Sequence, residues 1–290
     1  MISFDGIFSL KAEDLKIHKP SEHLTLVSHG HSDHLPGRYK NNSIVCSEIT
    51  KKMIELRKNK NNIEIHNDKK IELLNSGHTL GSNMFFINNE MLYTGDFNTE
   101  PRYCGSAVPK KCKTLLIETT YGKPKYIFPK TKHVIEEFRD YLKENEKTTI
   151  KAYSFGKAQE ICYLLDKLKM PFSVNYKIER INEHLGLKFK HFDRKASIIL
   201  TDEKQPGYKN ISLSGWAFEP YFERMMKLDR SFVLSDHCDY PSLVEFVRKC
   251  SPEKIYTYHG FNVEFAHDLR KAGFDAQPIL KGQKLLTDFK

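Results

Sequence analysis

Short apolar runs that end in polar clusters dominate the first third of the chain. Such runs predict short buried β-strands leading into tight turns, here at residues 24–29, 71–78, 83–88 and 91–97. Only Asn89 and Glu90 separate the last two runs, which indicates a β-hairpin. The spacing of apolar residues in 48–60 instead predicts a helix, with Ile49, Met53, Ile54 and Leu56 on its apolar side.

From residue 114 onwards, strand and helix patterns alternate. Strands are predicted at 114–122, 149–155, 231–237 and 254–260, and helices at 131–144, 156–169, 241–249 and 263–273. The strand at 149–155 runs into a helix that opens with glycine, which is typical of a βα unit. Residues 180–230 predict short strands and a further helix, and an edge strand should follow the final helix.

Both ends of the chain show the same pattern of short apolar runs that end in polar turns, and the pattern in the middle of the chain differs. We therefore predict a discontinuous domain formed by residues 1–122 and 231–290. Residues 123–230 would form a small α/β domain inserted into it. The predicted fold class is α/β (α+β).

Charge and cysteine content narrow the choice of partner and compartment. The 290 residues include 46 Lys and Arg against 37 Asp and Glu, a formal net charge of +9. This surplus favours a polyanion such as nucleic acid, although a solvated basic surface explains it equally well. The six cysteines form no CxxC pair, and neither a signal peptide nor a membrane-spanning segment is evident. We expect a cytoplasmic protein with no membrane partner.

The sequence SHGHSDH carries the strongest chemical signal. It places His29, His31, Asp33 and His34 directly after a predicted strand. Imidazole nitrogens and carboxylate oxygens are preferred ligands of Zn²⁺ and related ions. At a strand end, His29 and His31 can point to one side while Asp33 and His34 turn back toward a second ion. The alternative is a surface turn that is rich in histidine by chance.

Two later residues strengthen the metal interpretation. His78 in HTLGS follows a predicted strand, and Asp96 in YTGDF ends the next one. An aspartate in this position can bridge two ions about 3.5–4 Å apart. Each residue alone would be read as structural, but the order HxHxDH, His, GD is specific.

Three further motifs follow predicted strands. IETTYG contains Glu118, LSDHCDY contains His237 between Asp236 and Asp239, and YTYHG contains His259. Taken alone, Glu118 would be read as a capping or salt-bridged glutamate. His237 would similarly be read as part of a hydrogen-bonded turn.

Together, HGHSDH, His78 and Asp96 resemble the metal-binding motifs of the metallo-β-lactamase superfamily. The resemblance implies a four-layer αββα sandwich with two divalent metal ions at one sheet edge. Zinc is the expected metal and manganese the alternative. One ion would be held by His29, His31, His78 and Asp96, and the other by Asp33, His34, Asp96 and His259.

The later motifs resemble those of the β-CASP nucleases, which act on DNA or RNA. This implies an inserted β-CASP domain and hydrolysis of phosphodiester bonds by a hydroxide that two metals activate. Asp33 would belong to the catalytic centre, and Glu118 would orient His237. His237 would donate a proton to the leaving oxygen, and His259 would ligate the second metal.

Several stretches are most similar to the ligase-associated DNA exonuclease group, and more distantly to the Artemis-type repair nucleases. They are ETTYGKPKYIFP, AYSFGKAQE, LSGWAF and LSDHCDYPSL. The resemblance implies a DNA exonuclease in repair that acts on single strands. DNA ligase or helicase repair proteins are its candidate partners.

The AYSFGKAQE stretch also supplies candidate phosphate contacts, which are Ser154, Gly156, Lys157 and Gln159. Backbone N–H groups at a helix N-terminus bind anions well. An ordinary βα turn with a surface lysine is an equal alternative. The only tryptophan, Trp216, either stacks a base or belongs to the core.

Other functions remain open at this point. An RNA nuclease for mRNA 3′-end processing or 5′ decay would use the same site. A small-molecule metallohydrolase would need neither Glu118 nor His237, and a non-catalytic binding relative would lack metal ligands. The sequence also departs from the superfamily at His18, where an aspartate that supports the metal loop is expected.

Overall fold

The computed structural model describes residues 7–10, 15–18, 23–35, 43–59, 63–203 and 205–279. Its strands are β1 Ile7–Leu10, β2 Leu15–His18, β3 His23–Leu26, β4 Ile44–Val45, β5 Ile71–Asn75, β6 Asn83–Ile87, β7 Met91–Tyr93, β8 Thr114–Glu118, β9 Thr148–Lys151, β10 Ser173–Val174, β11 Ile198–Leu200, β12 Lys209–Leu213, β13 Arg230–Phe232, β14 Lys254–Tyr258 and β15 Ala276–Pro278. Its helices are α1 Glu48–Lys58, α2 Thr131–Glu144, α3 Lys157–Lys167, α4 Tyr176–Leu185, α5 Phe222–Met226, α6 Tyr240–Cys250 and α7 Asn262–Lys271, with a 3₁₀ turn at Gly215–Phe218. The predicted mixed α/β class is confirmed.

The chain forms two compact units. The first unit comprises Met1–Tyr126 and His237–Lys290, and the second unit comprises Ile127–Asp236. The first unit contains a sheet of order β1-β2-β3-β4 and a sheet of order β15-β14-β8-β7-β6-β5. In the larger sheet β14, β8 and β7 run parallel, whereas β7, β6 and β5 alternate in direction.

The predicted hairpin between β6 and β7 is confirmed. The two strands pair antiparallel, with Ile87 opposite Met91. Asn88 and Asn89 adopt left-handed backbone conformations with φ of 51° and 57°. Asparagine tolerates this region better than most residues, so the sequence suits a tight turn at this point.

Strand β6 is apolar along its length because both of its faces are buried. Phe85 and Ile87 belong to a core cluster that includes residues of the four-stranded sheet. Met84 and Phe86 belong to a second cluster, which contains apolar side chains of α6 and α7. Alternate residues of a strand point to opposite faces, so this pattern shows that the larger sheet is covered on both sides.

Helix α1 belongs to a separate cluster of the first unit. Ile54 of the helix packs with Val27, Ile44 and Cys46 from the ends of β3 and β4. The predicted helix at 48–60 ends earlier, at Lys58, because Asn59 takes a left-handed backbone and donates its N–H to the Glu55 carbonyl. Residue 60 lies outside the described residues.

The second unit is built on a parallel sheet of order β10-β11-β9-β12-β13. Its core includes Phe138, Ile150, Ile161, Leu200 and Leu213. The predicted βα unit is confirmed, since β9 leads into α3. Because every strand runs in the same direction, the carboxyl ends of all the described strands meet at one edge of the sheet.

Two strands of this unit end earlier in the structure than the sequence predicts. The strand predicted at 149–155 ends at Lys151, because the next residues form the turn that opens α3, with Gly156 at φ 92°. The strand predicted at 231–237 ends at Phe232, because the N–H of Leu234 turns back to donate to the Phe232 carbonyl.

The structure also describes the cysteines and the length and polarity of the helices. All six cysteines lie in the described part of the chain, all are buried, and none forms a disulfide bond. Within the described ranges, no helix is both long and apolar enough to cross a membrane.

We predict that Gly260→Ala destabilises the first unit more than Gly273→Ala does. Both glycines have positive φ, 54° and 89°, so both substitutions carry the left-handed penalty of about 1–2 kcal/mol. A Cβ at Gly260 would also lie 2.4 Å from Thr120 Cα and 2.5 Å from the Thr119 carbonyl oxygen, whereas a Cβ at Gly273 has nothing within 4 Å. Thermal unfolding measures the difference, and equal losses would contradict the close approach of the two loops.

Candidate metal centre

Loops that follow strands of the first unit supply the candidate ligands. Residues 29–34 follow β3, and His78, Asp96 and His259 follow β5, β7 and β14. Glu118 is the last residue of β8. The strands β5, β7, β8 and β14 run in one direction within the larger sheet, so their carboxyl ends lie at the same edge.

Four of the predicted ligands converge at this edge. The ligand atoms of His29, His31, His78 and Asp96 all lie within 4.8 Å of one another. His31 Nδ1 is 3.0 Å from His29 Nε2 and 3.3 Å from His78 Nε2. Asp96 Oδ2 is 3.7 Å from the Nε2 atoms of both His29 and His78. The structure therefore brings together the complete set predicted for the first ion.

The set predicted for the second ion is brought together only in part. His34 Nε2 lies 3.4 Å from Asp96 Oδ2 and 3.9 Å from Asp33 Oδ2, but the side chain of Asp33 is 70% exposed. His259 is exposed as well. Among the described residues, Asp33, His34, Asp96 and His259 do not form a group whose ligand atoms all lie within 4.8 Å.

His259 occupies a constrained position of the backbone. Its φ is 63°, in the left-handed region that non-glycine residues rarely adopt. Its carbonyl oxygen accepts a hydrogen bond of 2.6 Å from Thr119 Oγ1. Local strain of this kind is common at functional sites. His18, at the position of the missing aspartate, lies on β2, and its side chain is outside the described part of the chain.

The charge state of the cluster suits a cation. Burial, followed by the charges of His34, His78 and His31, holds the pKa of His29 well below its ordinary value, so this ring is neutral and offers a lone pair. Burial alone would raise the pKa of Asp96, but the charge of His34 and a hydrogen bond from it outweigh burial. The pKa of Asp96 is therefore well below its ordinary value, and the group is a carboxylate.

One carboxylate oxygen supports the same conclusion. Asp96 is only 5% exposed, and its Oδ1 atom has no hydrogen-bond partner in the described part of the chain. Leaving a buried charged acceptor without a partner is costly, more so than for a neutral group. A divalent cation coordinated by Asp96 and its imidazole neighbours would remove this cost, so the residues present fit a metal ion.

Ser28 orients the first histidine, and the sequence analysis missed it. Ser28 Oγ lies 3.0 Å from His29 Nδ1, and the opposite ring atom, Nε2, faces the cluster. Partners on the far ring nitrogen commonly fix the tautomer of a metal-binding histidine. Gly95 permits this approach, because a Cβ there would lie 2.6 Å from Ser28 Cβ. The only signal in the sequence is a serine directly before the motif.

A second constellation, formed by Glu118, Thr120 and His237, adjoins the cluster. His237 Nδ1 lies 2.9 Å from Oε1 of Glu118, which is 1% exposed. The backbone N–H and the hydroxyl of Thr120 both donate to Glu118 Oε2 at 2.7 Å. The His237 ring is 4.6 Å from the His78 ring, measured between centroids. The carboxylate is thus fixed on both sides and can hold the orientation of the His237 imidazole.

Thr120 contacts the imidazole as well, and the sequence analysis missed this residue. Thr120 Oγ1 lies 3.3 Å from His237 Nδ1. The backbone of His237 is also anchored, because its carbonyl accepts a hydrogen bond of 3.2 Å from Asn98 Nδ2. The hydroxyl residues after Glu118 in IETTYG are the only sign of this arrangement in the sequence.

The candidate phosphate contacts lie in the second unit, and two of them have partners inside it. Lys157 is 4% exposed, and its Nζ donates to Glu160 Oε2 at 2.8 Å and to the Leu234 carbonyl at 2.9 Å. Gln159 is fully buried, and its Oε1 accepts a 2.7 Å hydrogen bond from the Gly156 N–H. Ser154 is half-buried. Lys157 is therefore not the surface lysine of the ordinary-turn alternative.

Comparisons with known proteins identify several relatives. No protein-family model matches the chain. A probable DNA ligase from Opitutus terrae is 29% identical over 93% of this chain and 30% of its own length. Cleavage and polyadenylation specificity factor subunit 3 from Dictyostelium discoideum is 35% identical over 35% of this chain and 14% of its own length. The chain thus spans less than a third of either relative.

A solved structure supports the fold. It is a protein of unknown function from Enterococcus faecalis V583, with a TM-score of 0.65 and 11% identity over 95% of this chain and 96% of that one. The sequence relatives are β-CASP metallo-β-lactamase proteins, which confirms the predicted resemblance to this branch. They also support the prediction of an enzyme of the phosphodiester hydrolase class.

We predict that Asp96→Asn lowers the affinity for Zn²⁺ by about tenfold or more, because it removes the only carboxylate of the converged set. Metal content after dialysis against a weak chelator, measured by mass spectrometry, checks this. His191→Ala is the matched control, since His191 lies in the second unit and pairs with Asp166. Equal metal content in Asp96→Asn and the wild type would exclude Asp96 as a ligand.

Proposed function

We propose that this chain is a metal-dependent nuclease that hydrolyses phosphodiester bonds of single-stranded nucleic acid, and that it acts as a DNA exonuclease in repair. One observation carries the proposal. An imidazole held by a buried carboxylate, His237 with Glu118, stands beside the His78 ring of the metal-binding cluster. Hydrolysis of a phosphodiester needs both charge neutralisation and a proton for the leaving oxygen, and these two groups supply them.

The metal ligands are proposed as two sets that share Asp96. His29, His31, His78 and Asp96 would hold one ion, and Asp33, His34, Asp96 and His259 would hold the other. Divalent ions at such a site lower the pKa of bound water and neutralise phosphate charge. The three imidazoles of the converged set favour zinc, with manganese as the alternative. For the second ion, the 3.4 Å separation of His34 Nε2 and Asp96 Oδ2 supports the assignment.

His237 is proposed as the general acid. The Glu118 carboxylate can accept a hydrogen bond from the Nδ1–H group of His237, so the opposite ring nitrogen is the one that would donate a proton to the leaving oxygen. Thr120 holds the second oxygen of Glu118 and so keeps the carboxylate plane fixed. A small-molecule hydrolase with a good leaving group needs no such group, and the arrangement therefore favours the nuclease.

The proposed domain organisation follows from the resemblance to the β-CASP branch. The sequence placed 1–122 and 231–290 in a four-layer αββα sandwich and 123–230 in an inserted β-CASP domain. Because β13 pairs with β12 of the second unit, we propose the sandwich for 1–126 and 237–290 and the β-CASP domain for 127–236. The core cluster shared by the two sheets of the first unit supports the first assignment. The parallel sheet of the second unit supports the second. The six buried thiols without disulfides support a reducing, cytoplasmic location.

We propose DNA rather than RNA as the substrate because of the share of this chain that each relative matches. The relative described as a probable DNA ligase matches 93% of this chain, whereas the polyadenylation factor matches 35%. DNA ligase or helicase repair proteins are accordingly the proposed partners. An RNA nuclease for 3′-end processing or 5′ decay is the second candidate, and the relative described as a polyadenylation factor favours it.

A cleavage assay tests this function directly. Purified protein is incubated with matched end-labelled single-stranded DNA and RNA, with Zn²⁺ or Mn²⁺, beside Asp96→Ala. We expect the wild type to cut DNA faster than RNA and the variant to cut neither. Faster cutting of RNA would favour the second candidate. No cutting of either strand by protein shown to contain metal would contradict the nuclease assignment.

We predict that His237→Ala retains its metal ions but cuts about 10²–10⁴-fold more slowly, the usual range for loss of a general acid. Metal analysis and single-turnover rates on the preferred strand measure the two properties. His133→Ala, on the exposed side of α2, serves as the control and should behave like the wild type. Loss of metal in His237→Ala would show that His237 is a ligand instead.

We predict that Thr120→Val lowers kcat about tenfold with little change in KM, whereas Thr120→Ser retains most of the activity. Valine preserves the shape but removes the hydroxyl that contacts both Glu118 and His237, so the imidazole loses its fixed orientation. A merely structural role would lower the melting temperature without this split. Equal kcat for Thr120→Val and Thr120→Ser would contradict the positioning role.

A further inference from the structure

Exposed aromatic side chains follow three strands of the second unit. Tyr153 comes two residues after β9 and is 81% exposed, and Tyr176 comes two residues after β10 and is 75% exposed. Trp216 comes three residues after β12 and is 39% exposed. An isolated exposed aromatic residue is ordinary, but three in equivalent positions of one sheet are a pattern.

The topology places these residues at one edge. All strands of the sheet run parallel, so the segments after β9, β10 and β12 leave from the same side. The order β10-β11-β9-β12 puts the strands before Tyr153 and Trp216 next to each other, with that before Tyr176 two strands away. Neighbouring strands are about 4.8 Å apart, so the row extends over roughly 15 Å. Ligands commonly bind at the edge of a parallel sheet where the carboxyl ends of its strands lie.

The charge of this unit favours a polyanion along the row. Residues 127–236 contain 20 Lys and Arg against 16 Asp and Glu, a surplus of four positive charges. Helices α3 and α4 begin at the same edge, and their N-terminal ends add partial positive charge. In the first turn of α4, Lys177 is 69% exposed, although it also pairs with Asp202 at 3.1 Å.

We propose that this aromatic edge, defined as Tyr153, Tyr176 and Trp216, binds unpaired bases of a single strand by stacking. The substrate class rests on the proposed function, and the edge adds a base-binding site outside the metal centre. Side chains of Lys157 and Gln159 have partners inside the unit, whereas the exposed faces of the aromatic rings can contact a ligand. Every base has a π-face, and the site is therefore tolerant of sequence.

Paired probes separate stacking from charge attraction. Fluorescence anisotropy is measured with metal-loaded protein in the His237→Ala background, which slows cutting of the probe, and gels confirm that each probe stays intact during the measurement. The probes are a 20-nucleotide strand of oligothymidylate DNA, a uridylate RNA strand of the same length and an abasic strand of the same length. Tyr153→Ala, Tyr176→Ala and Trp216→Ala are compared with Tyr163→Ala, a tyrosine on α3 that is 37% exposed.

We expect each edge variant to weaken binding of the thymidine or uridine strand by about 5- to 150-fold, the usual effect of losing one stacked base. Binding of the abasic strand should not change, and Tyr163→Ala should bind like the background protein. Tyr153→Phe retains the ring and should retain affinity. The base-containing strand that binds with the higher affinity shows whether the site favours DNA or RNA.

Two results would overturn the inference. Edge variants that bind both base-containing strands as tightly as the background protein would exclude stacking, while cutting by the otherwise wild-type enzyme would leave the proposed function intact. Equal losses with abasic and base-containing strands would show a backbone or folding effect. If the protein neither binds nor cuts any strand, the inference and the proposed function both fail.

Discussion

The buried carboxylate of Asp96 is the constraint on which the rest of the first unit depends. It is surrounded by the imidazoles of His29, His34 and His78, each within 3.7 Å, and one of its oxygens has no partner in the described chain. Burying a charge in this way is unfavourable unless a cation compensates for it. The loop geometry around Asp96 is therefore best understood as a preformed metal site.

The sheet explains how residues far apart in sequence reach this point. Strands β5, β7, β8 and β14 run in one direction, so His78, Asp96, Glu118 and His259 all emerge at one edge. Apolar side chains of β7, β8 and β14 are divided between two core clusters, so both faces of these three strands are buried next to the site. Glycine at 95 and 260 lets neighbouring loops approach closely, which a Cβ would prevent.

The sequence predicted the site better than it predicted the surroundings of the site. Histidine and aspartate spacing marked the candidate ligands, because ligand type and position after a strand are local properties, and the family resemblance grouped four of them as one set. Ser28 and Thr120 were missed, since a hydroxyl residue gains its role only from a partner brought close by folding. Lys157 was expected either to contact phosphate or to lie on a surface turn, but its partners include the carbonyl of Leu234, 77 positions away in the chain. Strand ends were misjudged where a turn began inside an apolar run, as at Lys151 and Phe232.

The central claim is that the cluster around Asp96 is a metal centre, and anomalous X-ray scattering from metal-loaded crystals tests it most directly. Data collected at the zinc edge should show one peak among His29, His31, His78 and Asp96, and a neighbouring peak that contacts His34 and shares Asp96. No peak within coordination distance of Asp96, in protein that has bound zinc elsewhere or not at all, would contradict the account. The cluster would then be a hydrogen-bonded network of histidines around a buried carboxylate.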